Sequence, residues 1–207
     1  MRLSDKAYHL IRKKIVTLEL PPLSPIDEQS LMDDLGLGRT PIREALQRLA
    51  AEGFVFFAPR RGIFVADISI TDLQKIFELR VVLEGFCARL AAQRATQEQI
   101  ALMEETIKDL EQVSERDTAH LMAIDERFHA LLYQAADNEF LSDTLARLHA
   151  LSFRLWHLVL DRLDGVKGAM EQHVQITSAL KTRDAAGAEA LIREHVSEFQ
   201  QRIRSVL

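Results

Sequence analysis

LGLGRTPIREALQRLAAEGFVFFAPRRGIFV, residues Leu35–Val65, carries five arginines in a chain of 207 residues whose formal charge is −5. Its first half reads as a helix beginning around Thr40-Pro41, with Ile42, Ala45, Leu46 and Leu49 recurring on one side until Gly53. Proline suits a first turn, where the missing N–H leaves no intrahelical bond unmade. Either Thr40 or Gly38 fits the cap. Two short β-rich runs follow, Phe54–Phe57 and Ile63–Ala66, joined by Ala-Pro-Arg-Arg-Gly, with Gly62 free to adopt a backbone conformation that other residues resist.

Upstream, residues 6–18 place Ala7, Leu10, Ile11, Ile15 and Leu18 on one face, and Pro21-Pro22 closes that helix. A second short helix starts near Asp27, a good N-cap, carries Leu31, Met32 and Leu35, and stops at Gly36. Three helices and a hairpin within residues 1–66 make a winged helix-turn-helix. After a linker over 67–71, residues 72–207 look helical throughout, in segments near 71–92, 97–115, 118–136, 140–160, 165–181 and 184–205. Thr71 and Gln74 have capping-box spacing at the first of them. Six helices joined by short loops imply an antiparallel bundle, so the fold class is mainly α with two domains.

Composition is that of an ordinary globular protein, 47% hydrophobic and 28% charged. No apolar run is long enough to span a bilayer and none resembles a signal peptide, so no membrane partner is expected and the cytoplasm is the expected location. Cys87 is the single cysteine, which excludes an internal disulfide and points to a buried structural thiol. Charge is unevenly divided. Residues 1–66 hold ten Lys/Arg against eight Asp/Glu, whereas residues 67–207 hold sixteen against twenty-three. A polyanion responds to the local field, so the N-terminal third is where one would bind.

The arginines of the opening stretch fall into two groups. Arg39 and Arg43 are one helical turn apart at the start of the second helix of the helix-turn-helix, the end that meets the major groove. Thr40 adds a hydroxyl suited to phosphate. Arg60, Arg61 and Gly62 form the hairpin tip, where a wing enters the minor groove or follows its phosphates. Arg48, a full turn further along, divides evenly between a DNA contact and a solvated surface charge.

The helical part carries a second constellation. Asp125 and His129 lie four apart on the apolar line Leu121–Phe128–Leu132, His173 lies on the line of Met170, Ile176 and Leu180, and His195 lies with Leu191, Ile192, Phe199 and Ile203. Residues 173 and 195 are equidistant from the turn near Arg183-Asp184, so in an antiparallel hairpin they meet. Four inward polar groups need partners. Three imidazoles with one carboxylate suit Zn²⁺, Ni²⁺ or another first-row divalent ion. His120, His149 and His157 read as ordinary histidines. Arg80 also faces inward and has two readings, a structural ion pair with Glu84 one turn away or a clamp for the carboxylate of a small acidic effector.

GRTPIREALQRLAAEGFV followed by PRRGIFVAD resembles the DNA-binding domain of the GntR superfamily of bacterial transcription regulators, and the upstream LELPPLSPIDEQSL fits the same pattern. FELRVVLEG, DERFH and the spaced EQH and REH are similar to the FCD domain of its FadR subfamily. The resemblance implies operator contacts by Arg39, Thr40 and Arg43, a wing contact at Arg60, Arg61 and Gly62, metal ligation by Asp125, His129, His173 and His195, and an effector-binding role for Arg80. It also implies a homodimer on double-stranded operator DNA, typically a repressor relieved by its ligand. Two other readings stand beside this one, a metalloenzyme acting on an organic acid and a DNA-binding protein with a purely structural metal.

Overall fold

A computed structural model describes residues 2–115, 117–159 and 166–206. Among them, nine helices and a three-stranded sheet follow the order α1 (Leu3–Val16), β1 (Pro25–Ile26), α2 (Glu28–Leu35), α3 (Arg39–Ala51), β2 (Val55–Ala58), β3 (Gly62–Val65), α4 (Ile70–Arg94), α5 (Gln97–Gln112), α6 (Thr118–Ala135), α7 (Glu139–Val159), α8 (Val166–Lys181) and α9 (Ala185–Val206). Packing separates two compact units. One holds residues up to Leu73 together with Ala150–Leu158; the other holds Gln74–His149 and the chain from Val159 onward.

In the first unit α1 buries Ala7, Tyr8, Ile11, Ile15 and Val16. It ends two residues short of Leu18, which turns into the left-handed region at φ 60° instead of completing the apolar line. α2 begins where Asp27 accepts the Ser30 N–H at 2.9 Å and ends at Gly36, φ 62°, the left-handed cap that glycine adopts without a Cβ penalty. α3 is capped by Gly38, with Thr40 and Pro41 already inside its first turn. Its buried side is Ile42, Ala45, Leu46 and Leu49, as the periodicity requires. β2 and β3 pair antiparallel with Phe56 opposite Phe64, and β1 adds a short outer strand with Ile26 opposite Ile63, giving the order β1-β3-β2. That third strand is absent from the sequence reading because two residues, one of them proline, show no alternation. Arg154, buried on the stretch of α7 that belongs to this unit, donates from Nη2 to the Ala66 carbonyl at 2.6 Å. Burial lowers its guanidinium to about 10.

The second unit is helical. Ser69, not Thr71, caps α4: its hydroxyl accepts the Asp72 N–H at 3.2 Å, and Gln74 bonds Glu78 instead of reaching back. The capping box is found at α5, between Thr96 and Gln99. Asp117 caps α6, Asn138 opens α7 and Asp184 opens α9. The expected continuation of α7 to residue 160 and start of α8 at 165 lie outside the described residues. Ala88, Ala91, Ile100, Met103, Phe128, Leu132, Ile176, Leu180 and Ile192 form the common core, and small residues on α4 let the neighbouring helices approach closely. Cys87 is buried in this core, its thiol 3.8 Å from the Leu132 carbonyl.

Candidate functional site

Two groups of side chains stand out, one in each unit. In the first, Arg39, Thr40 and Arg43 are exposed on the first turns of α3, and Arg60, Arg61 and Gly62 are exposed at the wing tip. The tip is tight. Arg61 N–H donates to Ala58 O at 3.0 Å, Arg60 sits at φ 63° and Gly62 at φ 110°, a region closed to side chains without strain. Between α3 and the wing lies a cleft of about 450 Å³ lined by Glu28, Arg43, Gln47, Phe57, Arg60 and Gly62. Arg43 Nε and Nη2 donate to the two carboxylate oxygens of Glu28 at 2.8 and 3.2 Å. Arg48 turns back onto α1: its guanidinium stacks 3.7 Å over the Tyr8 ring and bonds Glu52, which also accepts from the Tyr8 hydroxyl. These contacts give it a packing role. Glu28 and Gln47 are absent from the sequence reading; Gln47, one turn beyond Arg43, carried a phase signal, whereas Glu28 comes from another helix.

In the second unit Asp125, His129, His173 and His195 are buried together, with one ligand atom from each lying within 4.8 Å of the others. α6 contributes the first two on one face, and the α8–α9 hairpin brings the other two to one level. His173 Nε2 is 3.2 Å from His195 Nε2 and 3.5 Å from Asp125 Oδ1; His129 Nε2 is 3.4 Å from His195 Nε2 and 3.7 Å from Asp125 Oδ1. Neighbouring donors around an ion at about 2.1 Å stand about 3.0–3.4 Å apart, so the spacing fits a shared cation.

The surroundings fix the rings. His129 Nδ1 lies 3.0 Å from Glu84 Oε2, and His195 Nδ1 lies 3.0 Å from Gln172 Oε1, whose amide nitrogen is committed to Glu198 at 2.9 Å. Gln172 places the His195 ring proton on Nδ1, and the nearby Glu84 carboxylate favours the same tautomer at His129, so that both Nε2 lone pairs face inward. Lone pairs 3.4 Å apart repel unless a positive charge lies between them. His173 stacks on Phe128 with centroids 3.9 Å apart, and its Nδ1 is buried without a hydrogen bond. Glu84 is shared, since Arg80 Nε donates to its other oxygen at 2.6 Å while Phe77 and Phe199 flank the guanidinium. Of the two readings of Arg80, the ion pair with Glu84 is formed, and the same carboxylate lies against His129.

His149, read from sequence as an ordinary histidine, lies 3.4 Å from Asp125 Oδ2. The signal for it was present, because Leu141, Leu145, His149, Ser152 and Trp156 form one buried line along α7. His120 is exposed beside Asp117, and His157 packs on Phe153.

Burial pushes the Asp125 carboxyl up, but His129, His149 and His173 outweigh it and hold it well below the usual carboxylate range. Burial likewise raises Glu84, and Arg80 with His129 reverses the effect. Burial depresses His173 far below its ordinary value and takes His149 and His195 down to about 4. His149, His173 and His195 are thus neutral near pH 7, the form in which an imidazole ligates metal. Unfolded imidazoles take up protons near pH 6.5 and the folded ones resist until about 4. Between those values the unfolded chain binds more protons, so stability is intact above about pH 6.5 and falls as the pH is lowered through that window. Chelator-treated protein should lose about 2 kcal/mol or more between pH 7.5 and pH 5 in denaturant titrations; equal stability at the two values would contradict the neutral, buried state of these rings.

The gntR-family model of bacterial regulatory proteins matches residues 3–65, and the FCD domain model matches residues 75–198. The chain belongs to the GntR family of bacterial regulators and carries an FCD domain. Among its relatives in that family, the HTH-type transcriptional repressor RspR of Escherichia coli is 28% identical over 98% of this chain and 90% of its own length. The Nta operon transcriptional regulator of Aminobacter aminovorans is 31% identical over 93% of this chain and 90% of its own. The solved structure of E. coli McbR/YncC shares the fold with a TM-score of 0.89, at 21% identity over 99% of this chain and 98% of that one. This GntR-family chain is a DNA-binding transcription regulator and not an enzyme, which answers the metalloenzyme alternative. No helix among its described residues is long and apolar enough to cross a membrane.

Proposed function

We propose that this regulator is a cytoplasmic repressor whose grip on operator DNA is set by a small carboxylic acid bound at a divalent metal centre, zinc or nickel, in its helical part. The observation that carries this reading is the convergence of three inward Nε2 atoms and Asp125 Oδ1 in a buried space. Charge supports it. Arg80 and Glu84 neutralise each other, and the depressed Asp125 carboxyl is a further buried negative charge among the ligand atoms. A buried charge of that kind calls for a cation. A divalent ion over-compensates by one, and a singly charged carboxylate restores neutrality.

Asp125, His129, His173 and His195 would hold the ion, with Glu84 and Gln172 fixing two of the rings. When bound, it supplies a Lewis-acidic positive centre for an anionic oxygen. Arg80 would meet the other end of the effector. Residues 1–66 would act as the DNA-binding domain, with Arg39, Thr40, Arg43, Arg60, Arg61 and Gly62 on the operator. Reorientation through the 67–71 linker and α4 would convey ligand binding from the sensing part, residues 72–207, because a ligand alters DNA affinity only by favouring one arrangement over another.

Two copies would bind the two halves of a near-palindromic site. On α4, Leu79, Val82 and Phe86 are each about half exposed and recur on one stripe, an apolar face suited to a second copy. The test is a thermal-shift screen of small carboxylic acids with zinc, with nickel and with chelator. Stabilisation that needs acid and metal together, accompanied by weaker operator retention in a mobility shift, is the expected result. Stabilisation by metal alone, with no acid altering operator binding, would reduce the ion to a structural role.

A further inference from the structure

We infer that Glu28 is a positioning residue that makes Arg43 a reader of bases instead of a clamp on phosphate. The inference rests on the reading that Arg43 meets operator DNA. Glu28 is the first residue of α2, directly after the Asp27 cap, to which Ser30 bonds through both its N–H and its hydroxyl at 2.9 and 2.5 Å. That anchorage fixes the backbone from which the Glu28 side chain reaches α3. The Arg43 side chain is 63% exposed and yet is held at two points, Nε to Oε2 at 2.8 Å and Nη2 to Oε1 at 3.2 Å.

A guanidinium is a rigid plane with five N–H donors. The contact with Glu28 occupies its Nε/Nη2 side, and among the described residues Nη1 makes no hydrogen bond. What remains is the end-on Nη1/Nη2 pair, and fixing one edge of a plane fixes the direction of the other. Two parallel N–H groups aimed end-on match the N7 and O6 acceptors of guanine in the major groove.

The carboxylate has a second effect. It neutralises Arg43 and repels nearby phosphate oxygens, so the side chain gains little by settling on the backbone of an arbitrary sequence. Among the described residues, Arg39, Arg60 and Arg61 have no such acidic partner, which suits them to sequence-independent phosphate contacts. The two kinds of arginine then divide the work, affinity from the unpaired ones and discrimination from the Glu28-held one.

The test uses the full-length protein and an operator selected from a random duplex library. Fluorescence anisotropy compares operator with unrelated duplex across a salt series for wild type, Glu28→Gln and Arg43→Ala, with melting curves for each. Glu28→Gln is expected to bind unrelated duplex as tightly as wild type or more so, to lose about tenfold or more in the operator-to-unrelated ratio, and to gain about one unit of salt slope per half-site. Base preference at the position read by Arg43 should relax. A ratio and preference unchanged in Glu28→Gln while Arg43→Ala loses the operator would overturn the inference and leave the reading of Arg43 intact. Equal weakening on both duplexes would overturn it in favour of a merely structural contact. Wild-type binding by Arg43→Ala would overturn the underlying reading itself.

Discussion

Replacing Arg43 with Ala should weaken operator binding by roughly thirtyfold or more while the protein melts within about 2 °C of wild type. A bidentate base contact contributes about 1–3 kcal/mol of discrimination, and a two-fold complex contains two of them, so the loss falls at roughly 2–6 kcal/mol. Stability is a separate matter. Arg43 lies on the exposed side of α3, opposite the buried line of Ile42, Ala45, Leu46 and Leu49, and substitutions at such positions usually stay within about 0.5 kcal/mol. The substitution also leaves the Glu28 carboxylate without Arg43 in the cleft between α3 and the wing, which would add repulsion if operator phosphates come near. Anisotropy titration with the selected operator checks the effect. An unchanged dissociation constant in a folded variant would remove α3 from the recognition surface.

The contrast between Arg43 and Arg48 shows what helical spacing conveys and what it omits. Both stand on the polar side of α3, and periodicity alone gives them equal claims. Tertiary packing separates them, since Tyr8 and Glu52 draw Arg48 back onto the protein while Glu28 turns Arg43 across the cleft. Elements were legible wherever local chemistry decides them, as with the Asp27 cap, the left-handed Gly36 and the buried face of α3. β1 was not, because a two-residue strand exists only through its pairing with β3.

The convergence of Asp125, His129, His173 and His195 was readable for the same reason as α3. A polar residue on an apolar helical line is conspicuous, and equal distance from the α8–α9 turn places His173 beside His195 without any knowledge of the other helices. The supporting shell was harder. Glu84 could be matched to Arg80 from their i, i+4 spacing, but its contact with His129 joins α4 to α6, and Gln172 acts through a ring on a different helix. Such links depend on how helices are rotated against one another, which no single segment encodes. His149 is an intermediate case, visible as part of a buried line on α7 but without a partner until α6 is in place.

Zinc in excess should raise the melting temperature of the chelator-treated protein by roughly 8–16 °C, and His173→Ala should erase most of that shift. A ligand present at about a thousand times its dissociation constant stabilises the folded state by about 4 kcal/mol, and a chain of this size gains about 2–4 °C for each. His173 is the informative position because its Nε2 faces both Asp125 and His195, while its other nitrogen is buried without a hydrogen bond. Among the described residues none bonds that Nδ1, and a cation at Nε2 would be held between His173, Asp125 and His195. Truncation to Ala removes that ligand and opens a space beside Phe128, so the metal-free variant should melt below the metal-free wild type by an amount that zinc cannot restore. Glu84→Gln separates ligation from orientation: all four ligands stay, but His129 loses a charged acceptor, and zinc affinity measured by chelator competition should fall about 10–100-fold instead of vanishing. An equal zinc-induced shift in wild type and His173→Ala would place the ion elsewhere, and with it the centre proposed to set effector control.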